Sequence, residues 1–296
     1  MPRFAFSQLP MIWQTTRFSI DLSRPRVMGI VNITPDSFSG GSQADTRAAL
    51  AHCEQLLKEG ADILDLGAES TRPGATQVSL AQELARLLPV LRVAVTLGVP
   101  VSVDTYKPHV MQAALDLGAD IVNDIWALRW QDAADPLDGR AVVAAHPSCG
   151  VCLMHMHGEP RTMQLSPMDG EVLPAVRAFL QAAAQDLRER GVAAGRIVLD
   201  PGIGFGKTVA QNFSLLARQA ELLAAGYPLL AGWSRKSSLG AVAGPPPGST
   251  VPAGQHERLA PSIAAALLAA ERGAAIVRVH DVRETVQALK VLAAIK

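Results

Sequence analysis

Four polar side chains suited to binding a flat heterocycle end four separate apolar runs of the chain: Asp104, Asn123, Asp200 and Lys236. A carboxylate can accept two parallel N–H bonds, an amide can both donate and accept, and an ammonium can donate to a ring carbonyl. Together they suit a heterocycle with a guanidine-like edge, such as a pterin. The structural alternative is that the two carboxylates only pair with Lys236 or cap the helices that follow them.

A second group of residues could hold an anion. Arg278 and His280 alternate in the last apolar run, and Ser234, Arg235 and Lys236 follow the run before it. Arginine presents a planar fork of donors to a phosphate, and the start of a helix adds backbone N–H groups. The pattern predicts a phosphate site, with a surface ion pair as the alternative role of Arg278.

These side chains need a scaffold that brings the ends of the runs together. Eight apolar runs recur at the spacing of one strand and one helix, and each ends on a polar residue or cluster. The runs are Val27–Ile33, Ile63–Gly67, Val101–Asp104, Ile121–Asp124, Val151–His157, Ile197–Asp200, Leu229–Gly232 and Ala275–His280. Parallel strands buried on both faces have this composition. We therefore predict an α/β protein with a single (β/α)8 TIM barrel and an active site at the C-terminal rim of the strands.

The segments between the runs have helical periodicity, and several end at a glycine, as at Gly60 and Gly118. The next run then follows within a few residues, so the short connections lie at one rim. The longer connections lie at the other and include Thr34–Ala44 and Ala68–Leu80. Function is expected at the rim with the long loops. The Pro/Gly-rich stretch Ala243–His256 is either a mobile loop or disordered.

Two other motifs suggest different chemistry. The segment Pro201–Thr208 (PGIGFGKT) lacks only the first glycine of a phosphate loop, but Pro201 cannot donate an amide there, which favours a tight turn. Cysteines and histidines between His146 and His157 could supply four zinc ligands. On a strand, however, Cys152 points away from His155 and His157, which favours buried structural residues.

Length and composition indicate one barrel domain. The chain has 296 residues, and we predict an N-terminal extension over residues 1–25, forming a short hairpin or strand pair at the barrel base, before the barrel at 26–296. Lys plus Arg and Asp plus Glu number 27 each, so no excess of positive charge favours nucleic acid or an anionic membrane. No run is long enough to span a bilayer, and an odd number of cysteines argues against disulfides. We expect a cytoplasmic protein.

Several segments, in order along the chain, resemble the dihydropteroate synthase family. They are Met28–Gly41 (MGIVNITPDSFSGG), Asp62–Ala75 (DILDLGAESTRPGA), Ser102–Thr105 (SVDT), Asn123–Ile125 (NDI), Leu153–Gly158, Pro160–Gln164, Leu199–Lys207 (LDPGIGFGK), Ser234–Ser237 (SRKS) and Arg278–Val282 (RVHDV). Each is weakly specific, but together they cover nearly the whole chain. The resemblance implies folate biosynthesis, in which 6-hydroxymethyl-7,8-dihydropterin diphosphate and 4-aminobenzoate condense to 7,8-dihydropteroate and pyrophosphate by an SN1-like mechanism.

The same resemblance implies roles for individual residues. Those implied to bind the pterin are Asp65, Asp104, Asn123, Ile125, Met154 (or Met156), Asp200, Phe205, Gly232 and Lys236. Those implied for the diphosphate are Asn32, Thr71, Arg72, Arg278 and His280. Those implied for 4-aminobenzoate are Phe38, Thr71, Arg72, Pro73, Lys236 and Ser237. Asp104, Lys236, Arg278 and Asn32 are the implied catalytic residues, and Asn32 is the implied ligand of a Mg²⁺ cofactor.

The resemblance also implies a homodimer, for which the Ala/Leu-rich segment Ile263–Ala270 is a candidate interface. It further implies that sulfonamides bind as competitors of 4-aminobenzoate. One departure from the family is Gly40 and Gly41, which stand where many members carry an acid.

Three alternatives remain open for the function. One is a methyltetrahydrofolate-dependent methyltransferase. Another is an aldolase that forms a Schiff base at Lys236. The third is a paralogue that binds pterin without catalysing a reaction.

Overall fold

Eight parallel strands form a closed barrel in a computed structural model, which describes residues 12–33, 42–70, 77–132, 135–244 and 258–295. The barrel strands are β3 (Arg26–Asn32), β4 (Ile63–Gly67), β5 (Val101–Asp104), β6 (Ile121–Asp124), β7 (Gly150–Met154), β8 (Ile197–Asp200), β9 (Leu229–Ala231) and β10 (Ala274–Val279). Neighbours pair in chain order, and β10 closes the barrel against β3. The predicted (β/α)8 fold is confirmed.

Helices cover the outside of the barrel. They are α1 (Ser42–Glu59), α2 (Leu80–Ala94), α3 (Pro108–Asp116), α4 (Gly139–Ala145), α5 (Leu173–Glu189), α6 (Val209–Ala217), α7 (Ser237–Ala243), α8 (Leu259–Glu271) and α9 (Val282–Ala294). Helix α2 shows how the sequence starts one: the Ser79 hydroxyl accepts from the Gln82 N–H, and the Gln82 side chain accepts from the Ser79 N–H. Within the described segments, no helix has the length and apolar character needed to cross a membrane.

The barrel interior is divided into a floor and a mouth by strand alternation. Side chains two residues apart on a strand point to the same side. Apolar residues near the strand starts form the floor, and the ones that pack together are Met28, Ile63, Ile121, Cys152, Val198, Leu230 and Ile276. Two residues further along, the same strands carry polar side chains such as Asp65, Asn123, Asp200 and Arg278. The floor residues therefore stabilise the barrel, and the polar side chains at the mouth are available for binding and catalysis.

A hairpin before the barrel closes the floor from below. Strands β1 (Ile12–Gln14) and β2 (Ser19–Asp21) pair antiparallel. The fully buried Trp13 packs against the floor residues, and its Nε1 donates to the backbone oxygen of Arg196 at 2.9 Å. Arg196 lies just before β8, at the amino end of the barrel.

Two predicted segments end earlier than expected. Strand β7 stops at Met154, so His155 and His157 lie beyond it. The helical segment predicted between the runs Ile197–Asp200 and Leu229–Gly232 is α6 followed by a 3₁₀ segment, Gln219–Ala225.

Candidate active site

A cavity of about 390 Å³ opens at the carboxyl ends of the barrel strands. The residues predicted for the site that line it are Asn32, Asp104, Asn123, Ile125, Met154, Asp200, Phe205, Gly232, Lys236, Ser237, Arg278 and His280. Phe38, Thr71, Arg72 and Pro73 lie outside the described residues. The fold thus brings together the residues that were read from separate runs of the sequence.

Arg278 lies in the middle of the polar layer, between two carboxylates. Its Nε donates to Asp65 Oδ2 and one Nη donates to Asp104 Oδ2, both at 2.6 Å. The Asp65 side chain is fully buried, whereas those of Asp104 and Arg278 are 12% and 22% exposed. The surface ion pair considered for Arg278 is therefore wrong, because β10 directs this side chain inward.

Burial changes the acid–base properties of Asp104. Loss of hydration raises the pKa of Asp104 to about 7, and the nearby Asp65 charge adds to this, while Arg278 opposes it. A carboxyl group with this pKa is poised between its neutral and charged forms near neutral pH.

Asp65 lies below the cavity and does not line it, but it contacts two residues that do, Asn123 and Arg278. Its Oδ2 accepts from Asn123 Nδ2 at 3.3 Å as well as from Arg278. The position follows from register, since Asp65 pairs with Ile30 and Ser102, two residues before the strand ends of Asn32 and Asp104. Asp65 therefore orients Asn123 and Arg278 from beneath.

Asp200 ends β8 and is held by the turn that follows. Its Oδ1 accepts from the Gly202 N–H at 2.7 Å, and burial raises the pKa of this carboxyl group. The turn is tight, because Gly202, Gly204 and Gly206 all have positive φ. A Cβ at Gly202 would lie 1.8 Å from the His155 carbonyl oxygen.

Lys207 stabilises the same turn from inside. Its ammonium donates to the carbonyl oxygens of Gly202 at 2.9 Å and Phe205 at 3.1 Å. Burial lowers the pKa of Lys207 to about 7. Because the ammonium bonds to its own loop, the segment is a turn, as the sequence favoured, and not a nucleotide phosphate loop.

One wall of the cavity is apolar. Ile125, Met154 and Phe205 line it and pack with Tyr106, Met156 and Met163. The Lys236 ammonium lies 4.3 Å from the centre of the Phe205 ring, a cation–π contact. This wall offers a planar ring apolar contact on its faces while the polar side chains meet its edge.

The residues predicted to hold an anion line the same cavity. His280 Nδ1 and Ser234 Oγ are 2.9 Å apart, and the His280 N–H donates to the same oxygen at 3.1 Å. Arg235, with φ 58°, also lines the cavity, and its guanidinium pairs with Asp281 at 2.6 Å. The turn leaves Lys236 and Ser237 at the start of α7, facing the cavity.

The cysteine and histidine group does not converge. Cys152 lies in the barrel floor, while His155 stacks edge-on against Phe179 under α5, and burial lowers the pKa of His155 to about 3. Across the described ranges, no three His, Cys, Asp or Glu side chains are placed to hold a metal ion.

Sequence reasoning missed a buried ionic cluster beside the cavity. Lys107 donates to Glu69 and to Glu83, and it lies at the start of α3. Burial lowers the pKa of Lys107, but the hydrogen bonds to both carboxylates outweigh it and raise the pKa above its ordinary value. Nothing local in the sequence joins these three charges, although Glu69 lies within the segment Asp62–Ala75.

The fold and the site together define a TIM-barrel enzyme with a pocket for a flat, polar-edged ring. Consistently, the model of the pterin binding enzyme family matches residues 28–280. The dihydropteroate synthase of Neisseria meningitidis serogroup B is 48% identical over 286 residues, covering 95% of this chain and 96% of that protein. The chain therefore belongs to the dihydropteroate synthase family of pterin binding enzymes.

Two solved structures show the same relationship in three dimensions. The Burkholderia cenocepacia dihydropteroate synthase complexed with 7,8-dihydropteroate is 48% identical, with a TM-score of 0.83 over 97% of both chains. The Yersinia pestis dihydropteroate synthase in a sulfonamide drug complex is 40% identical, with a TM-score of 0.85 over 96% of this chain and 99% of that one.

Proposed function

We propose that the cavity at the barrel mouth condenses 6-hydroxymethyl-7,8-dihydropterin diphosphate with 4-aminobenzoate, giving 7,8-dihydropteroate and pyrophosphate. The observation that carries this proposal is the convergence of Asp104, Asn123, Asp200 and Lys236 on one cavity with an apolar wall. The dihydropteroate bound by the Burkholderia relative supports the choice of substrates.

Each polar residue takes one part of the pterin edge. Asp200 accepts the 2-amino and N3 hydrogens, because a carboxylate accepts two parallel N–H bonds. Asn123 and Asp104 contact the N1 to N8 side, and Lys236 donates to the oxo and N5 side. Ile125, Met154 and Phe205 contact the ring faces, and Gly232 leaves room for the ring, since it adds no side chain beside Asp200.

The diphosphate lies between Arg278, His280 and Asn32. Arg278 and His280 supply N–H donors from β10 and its end, and Asn32 supplies an amide at the end of β3. Thr71 and Arg72 are further candidates by family resemblance. Binding of the diphosphate adds negative charge beside Asp65 and Asp104, and Arg278 offsets it.

The residues present fit Mg²⁺ only together with the substrate. Mg²⁺ prefers oxygen ligands and is commonly held by one or two protein oxygens plus substrate phosphates. Asn32 offers one amide oxygen at the cavity, and the diphosphate offers the others. When bound, Mg²⁺ neutralises negative charge on the diphosphate.

The reaction then follows from charge. The C–O bond breaks with its electron pair leaving on pyrophosphate, and the electron-rich dihydropterin supports the positive methylene that remains. The Asp104 carboxylate stabilises this cation. The neutral amine of 4-aminobenzoate attacks to form the C–N bond and then loses a proton, so no strong base is needed.

The second substrate enters from the rim. Lys236 and Ser237 at the start of α7 face the cavity and are proposed to contact 4-aminobenzoate. The family resemblance adds Phe38, Thr71, Arg72 and Pro73 as further candidates for contact with this substrate. Sulfonamides compete for it, a proposal supported by the sulfonamide complex of the Yersinia relative.

The test is product formation from purified protein. Pyrophosphate release from the dihydropterin diphosphate is measured with and without 4-aminobenzoate and Mg²⁺, and the product is identified by mass. Dihydropteroate that requires both 4-aminobenzoate and Mg²⁺ supports the proposal. Tight pterin binding without product identifies instead a paralogue that binds and does not catalyse.

We also propose a cytoplasmic homodimer. The three cysteines are free, as is common in reducing compartments. Helix α8 is apolar around much of its circumference, and Leu259 and Leu268 on it are 36% and 38% exposed. Sedimentation velocity is expected to give twice the chain mass, and substitution Leu268→Asp to shift the protein towards monomer.

A further inference from the structure

We propose that Asp124 is a positioning residue for the pterin, because it holds the turn that places Ile125 on the apolar wall of the cavity. Asp124 ends β6 and is fully buried, and Ile125 directly after it lines the cavity. Asp124 itself does not line the cavity, so it acts through the turn. The proposal rests on the proposed function, since it concerns how that site binds its first substrate.

The register of β6 directs Asp124 away from the cavity. Asn123 pairs with Cys152, a floor residue inside the barrel, whereas Asp124 pairs with Leu153, which belongs to the apolar layer between the barrel and its helices. Because side chains alternate along a strand, Asn123 faces the cavity and Asp124 faces outward, beneath the helices. A carboxyl group buried in such a layer needs hydrogen-bond partners.

The partners of Asp124 are backbone groups of the turn that follows it. Its Oδ1 accepts from the Trp126 N–H at 2.8 Å, and its Oδ2 accepts from the Leu128 N–H at 2.6 Å. Its backbone oxygen accepts from the Ala127 N–H at 3.2 Å. Burial raises the pKa of Asp124 to about 7, and the two N–H bonds to the carboxylate oppose this rise. The turn thus wraps around one carboxylate, and Ile125 lies within it.

The turn needs this carboxylate because its backbone is strained. Ala127 and Leu128 are consecutive and have φ of 51° and 60°, in the left-handed region that side chains disfavour. Hydrogen bonds to a charged acceptor are stronger than those to a neutral one, so the Asp124 carboxylate offsets the cost of this backbone. Both side chains of the strained pair are buried, which gives the turn one packed arrangement.

Arg129 holds the same turn from its outer side. Its Nε donates to the Trp126 backbone oxygen at 3.0 Å, and its guanidinium carbon lies 4.7 Å from the centre of the Phe179 ring on α5. This cation–π contact joins the turn after β6 to the helix that follows β7. The turn is therefore fixed on two sides, which restricts the position of Ile125.

The first variant is Asp124→Asn, which keeps the shape of the side chain but cannot accept from both N–H groups. We expect the dissociation constant of 6-hydroxymethylpterin, measured by calorimetry, and the KM for the pterin diphosphate to rise by about tenfold. The KM for 4-aminobenzoate, measured at saturating pterin diphosphate, stays within about twofold. The matched control is Asp138→Asn, because Asp138 Oδ1 also accepts a backbone N–H, from Arg140 at 3.1 Å, but caps α4. It leaves all three values unchanged.

A double-mutant cycle separates positioning from general stability. If Asp124 acts through Ile125, Asp124→Asn weakens pterin binding by less than about twofold once Ile125→Ala has removed the side chain that is positioned. Losses that multiply independently in the double variant would overturn the proposal.

A glycine provides the rescue. Ala127→Gly allows the positive φ without strain, and combined with Asp124→Asn it is expected to recover about threefold in pterin affinity. The absence of any recovery would contradict the role of the strained turn.

A second variant covers the case in which Asp124→Asn does not fold, as judged by circular dichroism. Arg129→Ala changes an exposed side chain and tests the same turn. It is expected to raise the dissociation constant of 6-hydroxymethylpterin by about threefold, and an unchanged value would overturn the proposal.

The calorimetric measurement needs no turnover, so the two proposals can fail separately. Unmodified protein that binds the pterin but forms no dihydropteroate contradicts the proposed function alone. Product formation with unchanged pterin affinity in Asp124→Asn contradicts only the positioning role.

Discussion

At the scale of single residues, the site depends on one arginine shared by two buried carboxylates. Arg278 bonds to Asp65 below and to Asp104 at the mouth, both at 2.6 Å. Without this guanidinium, two carboxyl groups would face each other in a poorly hydrated layer. The same arginine therefore holds the two carboxylates together and places positive charge at the proposed diphosphate site.

Substitution Arg278→Ala is expected to remove about 2–4 kcal/mol of transition-state stabilisation, or roughly 30- to 1000-fold in kcat/KM. The reason is the loss of a preorganised donor beside the leaving group. Steady-state kinetics measure this, with Arg283→Ala as the control because that side chain is 60% exposed on α9. An unchanged kcat/KM would remove Arg278 from the diphosphate site.

The pH dependence of the reaction is expected to report Asp104. Its pKa is raised to about 7 by burial, and the charged form stabilises the cation, so activity is lost as the group protonates. We expect kcat/KM to rise about tenfold per pH unit between about pH 5 and about pH 6.5 and to level off above about pH 7. A pH–rate profile measures this. The same acidic limb in Asp104→Asn would assign it to the substrate or another group.

At the scale of elements, short turns after the strands determine where the side chains point. Asp200 at the end of β8 and Phe205 in the turn after it both line the cavity, and Lys207 closes that turn from within. Its glycines are needed for two reasons, namely their positive φ and the close approach of another backbone segment. The turn after β9 similarly places Lys236 at the cavity, while the Arg235 guanidinium pairs with Asp281.

Substitution Gly202→Ala is expected to lower the free energy of unfolding by about 3 kcal/mol or more. A Cβ at this position would overlap the His155 carbonyl oxygen, in addition to the strain of φ +67°. Urea unfolding measures the change. The control is Gly98→Ala, which has φ +77° and nothing within 4 Å, and is expected to cost about 1 kcal/mol. Equal effects in the two variants would contradict the role of the close contact.

At the scale of the whole molecule, stability and chemistry lie at opposite ends of the barrel. Floor residues pack around Trp13 at the amino ends of the strands, while the cavity opens at their carboxyl ends. The two ends share strands but no side chains. Changes in the floor should therefore alter unfolding without altering the reaction.

Substitution Trp13→Ala is expected to lower the free energy of unfolding by about 3–5 kcal/mol, because a fully buried indole and its bond to Arg196 are lost. The kcat/KM of the folded fraction should stay within about twofold. Ile12→Ala, next to it on β1 and 46% exposed, is the control, with an expected cost of at most about 0.5 kcal/mol. Calorimetry combined with kinetics tests the separation, and a parallel loss of kcat/KM would disprove it.

Much of the fold was determined by local pattern in the sequence. Continuous apolar runs predicted all eight barrel strands, and the glycines that end helices predicted the short connections. The strands could be predicted because a strand buried on both faces must be almost entirely apolar. A polar residue at the end of such a strand therefore stands out in the sequence. Of the described residues predicted for the barrel mouth, all line the cavity except Asp65, which lies below it and contacts Asn123 and Arg278.

Only the tertiary structure decided which charges pair. Arg278 lies 213 positions from Asp65 and 174 from Asp104, and nothing local in the sequence joins them. Lys107 bonds to two glutamates of other elements, while Lys207 turns inward to its own loop, although both lysines follow a strand of the same barrel. The sequence thus determined which residue types form the site. Their ion-pair partners and pKa shifts depend on burial, which arises only when the barrel closes.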